Sequence, residues 1–486
     1  MATDSITAGG AFGRVSEQNR CSIERILGAE HVRGDDALRR EYGTDALGRG
    51  LPADLVVFPG SAAEIAAVAR LCDAQRIPLT PRGAGTGYTG GAVPANGGVV
   101  LALDRLDRIK EIDEASLLAV VEPNVVTGAL QAAVERVGLF YPPDPASLAS
   151  SAIGGNVAEC AGGPRAFKYG TTRRYLLGLE AVLPTGEIIR TGGKVVKNVV
   201  GYDLTQLLAG SEGTLAIITE ATLRLVPKPA ARRTLRAWFA GVDTAVAAAR
   251  AVIAAQVVPA ALELVDAASL AAARARGGAG LAPDSAGAML LIEVDGTPAA
   301  AAEELQRAAE ACESTGASGV QRAGNDAERE ALWQIRRDLS LALRAVAPLK
   351  INHDVVVPLA RIPDLFRAVD ALRRELRLDI ACFGHVGDGN IHVNVLVDPQ
   401  DAAQMARAQA AERRLFEAVV ALEGSISGEH GIGFTKQAYL DLELSPETIA
   451  LMRRLKRAFD PNGILNPGKI FPEYPLGTAP RNPGTR

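Results

Sequence analysis

The spacing of apolar and polar positions divides the chain into segments of different period. LVVFP, residues 55–59, is an apolar run of strand length. SAAEIAAVARLCDAQR, 61–76, is apolar at helical spacing, with Ser61 at its start and Glu64 three residues on, the signature of a capping box. IPLTPR, 77–82, predicts a second strand. Residues 99–122 alternate as strands, and VTGALQAAVERVG, 126–138, predicts a helix. A hairpin is expected around a turn at Pro184–Glu187, and a strand pair closes at Pro227. Beyond Pro227 and Pro229 the texture changes. Helices at 241–256 and 298–313 alternate with strands such as AMLLIEVDG. A helix around Trp333 to Val346, the strand KINHDVVVP and helices at 361–376 and 401–423 follow. The expectation is an α+β chain of two domains.

Three stretches are dense in glycine: PRGAGTGYTGG (81–91), the second cluster at Gly154, Gly155, Gly162, Gly163 and Gly170, and Gly210–Gly213. The first formally contains GxGxxG at Gly85–Gly90. A dinucleotide fingerprint needs a helix straight after the glycines, and AVPANGGVVLAL follows here, with Pro94 and then a strand. The Rossmann reading therefore fails on context. The loop can serve as a backbone nest for an anion or as a set of tight turns. Three such loops between 55 and 228 suggest a long ligand lying along backbones.

The hairpin FGHVGDGNIHVNVLV, 383–397, places Asp388-Gly389 between apolar runs, a tight-turn signal. With those two residues central, His385 stands opposite His392, and Asn394 shares the face. Two imidazoles on one face suggest a divalent metal, or simply paired polar residues at a sheet edge. Glu429, in Gly-Glu-His-Gly-Ile-Gly, can complete a His, His, Glu set with an open position, or form a buried ion pair. Its neighbour His430 then points elsewhere and is free to act as a base.

Composition narrows the class. Of 486 residues 48% are apolar and 22% charged, with a net charge of -4, which fits a globular domain protein and argues against general nucleic-acid or membrane-surface binding. The five cysteines are scattered without CxxC, as expected of reduced thiols in a cytoplasmic protein. The N-terminus does not read as a signal peptide, and no apolar run reaches bilayer length.

PRGAGTG, SAIGGNVAECAGG, GGKVVKNVVGYDLTQLLAGSEGTLAIIT, HVGDGNIHVNV, GSISGEHGIG and FDPNGILNPGK occur in that order. Together they resemble the vanillyl-alcohol-oxidase-type (PCMH-type) FAD flavoproteins. Within these the chain is similar to the D-2-hydroxyacid dehydrogenase branch, which holds D-2-hydroxyglutarate dehydrogenase, D-lactate dehydrogenase and the glycolate oxidase catalytic subunit. The resemblance implies a two-subdomain FAD-binding domain at 21–228 (core about 50–228). A substrate- and metal-binding α+β domain with an antiparallel sheet follows at 229–435, then a C-terminal return to the FAD domain at 436–473. Residues 1–20 are expected to be disordered, and 474–486 to form a tail.

By the same resemblance Pro81, Arg82, Gly83, Ala84, Gly85, Thr86, Gly87, Thr89 and Gly90 cradle the FAD pyrophosphate. Pro143, Ile153, Gly154, Asn156, Ala158, Gly162 and Gly170 line the rest of the cofactor path, approached also by Glu212, Gly213, Ile218 and Asn466. The metal ligands of the branch fall on His385, His392 and Glu429, its base on His430 and a substrate contact on Asn394. Arg336, in Trp-x-x-Arg, suits a substrate carboxylate, with Ser340 and Lys350 beside it. Ser340 stands where the hydroxyglutarate branch carries Thr, and Lys350 lies further upstream of Asp354 than in that branch. No histidine occurs between His31 and His353, so a histidyl flavin link in the first glycine loop is excluded, and Cys160 reads as a packed thiol; the FAD is expected to be non-covalent.

The implied reaction oxidises a D-2-hydroxy acid, with D-2-hydroxyglutarate first and D-lactate or glycolate as alternatives. One divalent metal assists, Zn2+ first, with Mn2+, Fe2+ or Co2+ also suited to the ligand set. An electron-transfer flavoprotein or a quinone is the expected acceptor, and a homodimer the expected state. A non-catalytic flavin-binding subunit is the competing reading, and such a subunit should lack the metal-and-base cluster.

Overall fold

The structure is a computed structural model. It describes residues 12–276, 283 and 285–472; the expected tail at 474–486 and residues 1–11 of the N-terminal stretch lie outside the described residues. The first helix, Glu17–Leu27, begins inside the stretch expected to be disordered, because the Ser16 side chain caps it by accepting from the Asn19 amide. The chain divides into two compact units. One comprises residues up to 161, Thr171–Pro227 and His430 onward; the other comprises Gly162–Gly170 and Lys228–Glu429.

Among the described residues the first unit holds a four-stranded sheet, a five-stranded sheet and a two-stranded pair, Leu139–Phe140 with Val226–Pro227. In a four-stranded sheet Leu55–Val57 and Leu79–Arg82 both run parallel to Val99–Ala102, with Val32–Arg33 antiparallel at one edge. The helix Ala62–Gln75 crosses between two of these strands. Ser61 caps it by accepting the Glu64 amide at 3.2 Å, and the Glu64 carboxylate reaches back to the Gly60 amide at 2.7 Å, so the reciprocal bond lands one residue earlier than in a standard capping box. Its buried positions, Ile65, Ala66, Val68, Ala69 and Cys72, fill one core with Leu55, Leu79 and Leu101.

A five-stranded antiparallel sheet follows, ordered Ile109–Asp113, Leu118–Val121, Ile217–Arg224, Leu176–Val182, Ile188–Gly192. The last two strands are the hairpin foreseen around 184–187. The C-terminal segment adds to the first sheet: Leu465 bridges Leu79 in parallel, with the Asn466 amide donating to Leu79 O at 2.8 Å. The sequence predicts a loop at the second glycine cluster. Residues Ile153–Glu159 are instead a short helix, ended by Cys160 in the left-handed region at φ 53°. Gly154 permits it, because a Cβ there would come within 2.6 Å of Pro123.

The second unit is organised around one seven-stranded antiparallel sheet. Its order is Gly319–Arg322, Ala231–Phe239, Ala288–Gly296, Ala261–Asp266, Asp379–His385, Asn390–Val397, Leu349–Val356. Side chains alternate between the faces of a strand. Leu264, Ile292, Val393 and Val395 lie on one face, and helices Val242–Ala254, Pro298–Ser314, Ile362–Leu376 and Ala402–Ala421 contact this sheet. The other face carries a run of polar residues. Register places Glu263 opposite His385, Asp354 opposite His392, and Asn352 opposite Asn394, all on that face. The helix Asp326–Val346 also meets the sheet; its Ile335, Leu339 and Leu343 pack with Val265, Phe383 and Leu396, and its polar positions reach the polar row.

Candidate active site

The hairpin is real, but its register differs from the expected one. Phe383 pairs with His392 and His385 with Asn390, so the connection is the four residues Val386–Gly389. A two-residue type I′ turn needs positive φ at both central positions. Only Gly389 has it, at φ 83°, and Asp388 does not. The slip is two residues, so it keeps every side chain on its face. His385 and His392 become diagonal neighbours, with ring centroids 5.4 Å apart.

Both imidazoles are buried and turn Nε2 toward one carboxylate. Glu429 Oε1 lies 3.8 Å from His385 Nε2 and 3.5 Å from His392 Nε2. One ligand atom from each of the three falls within 4.8 Å of the others, a spacing that can hold a metal ion. On the far side of each ring stands a buried carboxylate. Glu263 Oε1 is 2.6 Å from His385 Nδ1, and Asp354 Oδ1 is 3.8 Å from His392 Nδ1.

Burial alone would raise the Glu263 carboxyl, but the charges of His385 and Arg336 outweigh it and hold it down to about 2. The same pair acts in reverse on His385. Burial opposes its charged form, while Glu263 and Glu429 raise its pKa well above the ordinary value. Glu429 is pulled below its usual range by the His385 and His392 charges against the effect of burial. Buried acids and imidazoles of this kind cluster at functional sites, and the donor set suits a divalent cation.

His430 begins the return to the first unit, and a second constellation fixes its loop. Thr89 Oγ1 donates to His430 O at 2.8 Å, and the Phe434 amide donates to Thr89 O at 3.1 Å. The Glu212 carboxylate accepts from the Ile432 and Gly433 amides at 2.8 and 2.7 Å. The Tyr88 ring meets the His430 imidazole edge-on, centroids 5.0 Å apart. The approach is close enough to require glycine on both sides. A Cβ on Gly90 (φ 81°) would lie 2.0 Å from the Phe434 ring, and one on Gly433 (φ 53°) 2.0 Å from Thr89 O.

Residues 53–192 match the family described as FAD binding domain, and residues 228–470 match FAD linked oxidases, C-terminal domain. The chain belongs to the FAD-linked oxidases. Over 449 residues (92% of this chain, 95% of the relative) it is 42% identical to the glycolate oxidase subunit GlcD of Bacillus subtilis. It is 36% identical over 439 residues (88% and 94%) to the D-2-hydroxyglutarate dehydrogenase of Stutzerimonas stutzeri. The fold of p-cresol methylhydroxylase is shared at a TM-score of 0.79 and 18% identity, covering 93% of this chain and 96% of that one. The PCMH-type fold expected from the sequence is thus borne out.

The FAD of this oxidase family fits the first unit. Beside Gly87 and Gly155 a Cβ would meet nothing within 4 Å, so the first glycine loop and the helix Ile153–Glu159 leave open space next to bare backbone. Several residues expected at the cofactor have other partners. Arg82 is buried, donates to Thr44 O at 2.7 Å and stacks over Tyr42. Thr89 and Glu212 hold the His430 loop, as described. Asn156 donates to Thr127 Oγ1 at 2.7 Å, Pro143 O accepts from Gln131, and Ile153 and Ile218 are core residues. Ala158 O accepts the Glu212 amide, Gly213 takes positive φ, and Asn466 donates to Gly91 O and Glu212 O. Gly162 and Gly170 belong to the second unit. Pro81, Gly83, Ala84, Gly85 and Thr86 remain on the strand end and loop leading to Gly87. The Cys160 thiol lies 3.3 Å from Thr171 Oγ1.

The residues expected at the substrate divide in the same way. Arg336, Ser340 and Lys350 do come together. Lys350 is buried and donates to Ser340 Oγ at 2.7 Å; burial, then Arg344 and Arg336, lower its pKa to about 8. Arg336, however, turns Nε onto Glu263 Oε2 at 2.6 Å, with its guanidinium over the Phe383 ring at 4.5 Å. Asn394 is wholly buried. It donates to Ala381 O and His392 O and accepts from Asn352, so the sheet itself uses its amide, which does not support a substrate contact. Trp333 of the Trp-x-x-Arg pair donates to Glu293 at 2.7 Å.

Glu263 and Asp354 escaped the sequence reading as site residues. Their signal was present: ALELVD and HDVV are buried strands, each interrupted by a carboxylate on the face that carries the histidines.

Proposed function

We propose that the chain oxidises a short 2-hydroxy acid, glycolate or D-lactate, to the 2-oxo acid, using non-covalent FAD and one divalent metal. The observation that carries this reading is the convergence of His385, His392 and Glu429 on one point. His385, His392 and Glu429 would hold the metal, and its charge would favour ionisation of the 2-hydroxyl. FAD, when bound in the first unit, supplies the acceptor for the hydrogen at C2. His430 takes the hydroxyl proton, its loop fixed by Thr89 and Glu212. Lys350, with Ser340, attracts the substrate carboxylate.

The preference for a short acid is supported by Arg336. Its Nε pairs with Glu263 Oε2 at 2.6 Å and its guanidinium lies over Phe383, so protein partners already engage part of the clamp a distal carboxylate needs. The identity to a glycolate oxidase subunit points the same way. D-2-Hydroxyglutarate is the second reading, favoured by the cation pair of Lys350 and Arg336 in one cluster and by the hydroxyglutarate dehydrogenase relative. Zn2+ is the first choice of metal. An electron-transfer flavoprotein or quinone as acceptor, a homodimer and a cytoplasmic location complete the reading on family resemblance. Among the described residues no helix is long and apolar enough to cross a membrane.

The test is anaerobic bleaching of the flavin by glycolate, D-lactate, D-malate and D-2-hydroxyglutarate, with and without a chelator. Bleaching by the short acids that a chelator abolishes is the expected result. Bleaching by none of the four refutes the reading and favours a non-catalytic flavin subunit.

A further inference from the structure

The two carboxylates behind the histidines are placed alike. Glu263 and Asp354 are each fully buried, on the two strands that flank the histidine hairpin, at the sheet's polar face. Each faces the Nδ1 side of one imidazole, while the Nε2 sides meet at Glu429. Neither carboxylate is anchored by the histidine alone. Glu263 gives its second oxygen to Arg336 at 2.6 Å. Asp354 Oδ1 accepts from Asn390 Nδ2 at 2.6 Å, and Oδ2 accepts from the Gly428 and Glu429 amides at 2.9 and 2.8 Å. Asp354 therefore holds the backbone of the third ligand as it faces the ring of the second. The approach of that backbone needs Gly428, where a Cβ would lie 2.4 Å from Asn390 Nδ2.

Glu263, hydrogen-bonded to His385 Nδ1 at 2.6 Å, fixes the tautomer that leaves Nε2 with its lone pair toward a cation and orients the ring. Asp354, 3.8 Å from His392 Nδ1, faces that ring by charge, beyond hydrogen-bond reach. From this arrangement we infer that Glu263 and Asp354 are positioning residues that preset all three metal ligands, and that Arg336 serves this frame by anchoring Glu263. This rests on the proposed metal reading and adds to it an outer pair of carboxylates, with a role for Arg336 away from the substrate. The tasks divide between them. Glu263 sets His385, and Asp354 sets His392 and Glu429 together.

The experiment uses the full-length, flavin-loaded protein and Zn2+ as probe. Zn2+ affinity is measured by competition with a chromophoric chelator for the parent, Glu263→Gln, Glu263→Asp and Asp354→Asn. Flavin content, the flavin spectrum and the thermal transition are recorded for each, and the Co2+-loaded forms are compared by electron paramagnetic resonance. Glu263→Gln and Asp354→Asn are expected to bind Zn2+ about 10–100-fold more weakly, the range typical of such outer partners. The flavin should be retained and the Co2+ signal altered, with Glu263→Asp intermediate. Affinity within threefold of the parent in both amide variants overturns the inference. So does loss of the flavin or of the cooperative transition in Glu263→Gln and Glu263→Asp alike, since the carboxylate would then be holding the fold. If the parent itself takes up no Zn2+ or Co2+, the metal reading fails first and this inference with it.

Discussion

Glu212→Gln separates a flavin contact from a support of the catalytic loop. The Glu212 carboxylate takes two backbone amides, Ile432 and Gly433, at 2.8 and 2.7 Å, and is buried. Glutamine keeps one acceptor oxygen and turns an NH2 group toward the other amide. One charge-assisted bond is lost and a second is weakened. A hydrogen bond to a charged group contributes about 1.5–3 kcal/mol, and a buried donor left without a partner costs about 1–3 kcal/mol. Burial raises the pKa of this carboxyl above the ordinary value, so removing its charge returns part of that loss. A net weakening of about 2–3 kcal/mol remains. At 1.4 kcal/mol per decade it raises the open population of the loop about 30–150-fold.

Hydrogen exchange followed by mass spectrometry reads this directly in a peptide covering 429–436. That peptide contains the Phe434 amide bonded to Thr89 O and the Lys436 amide bonded to Ile432 O. Both should exchange faster by that factor in the flavin-loaded variant, because the loop opens as a unit. The rate kcat should fall because His430 loses its fixed place, while KM for the hydroxy acid changes little. Flavin content should match the parent. The opposite pattern refutes the reasoning: exchange at 429–436 within a factor of three of the parent, together with loss of flavin, would make Glu212 a cofactor contact.

Other outcomes are expected of the same structure. Lys350, lowered by burial to about 8, is cationic below that pH and neutral above it; KM for an anionic substrate should be flat below pH 8 and rise above it, and a Lys350→Met variant that keeps this profile rules the residue out. Gly90→Ala forces a Cβ into the Phe434 ring at a φ of 81°, and should destabilise the protein by about 2–4 kcal/mol, seen as a lower thermal midpoint; an unchanged midpoint would show that the 434 ring moves aside freely. Prolonged dialysis against a strong chelator should abolish turnover with the flavin still bound, and Zn2+ should restore it. His385→Ala should do the same without rescue, while loss of flavin in that variant would mark the hairpin as structural.

Much of the site was legible because its chemistry lies on regular elements. The hairpin announced itself through Asp388-Gly389 between alternating runs, and Glu429 through its glycine neighbours. What stayed hidden depends on contacts made far along the chain. Nothing local to Arg336 says that it pairs with Glu263, 73 residues earlier. Nothing local to Glu212 says that it meets Gly433, 221 residues later. Both were assigned by resemblance to ligands, and both have protein partners. The helix at Ile153–Glu159 was missed because its glycines lower helix propensity, while packing against Pro123 demands one of them.

The histidine pair survived a wrong register for a physical reason. The expected two-residue turn set His385 opposite His392, whereas the chain makes a four-residue connection and sets His385 opposite Asn390. Side-chain direction in a strand repeats every two residues, so a slip of two changes the neighbour and not the face. A slip of one would have sent His385 to the helix-covered side and destroyed the site. The observed register sets the ring centroids 5.4 Å apart, nearly perpendicular at 86°. Each Nδ1 edge faces its own strand neighbour, Glu263 on one flank and Asp354 on the other. Those pairings belong to the outer strands, so two carboxylates, one per flank, face two imidazoles whose Nε2 edges meet at Glu429 between them.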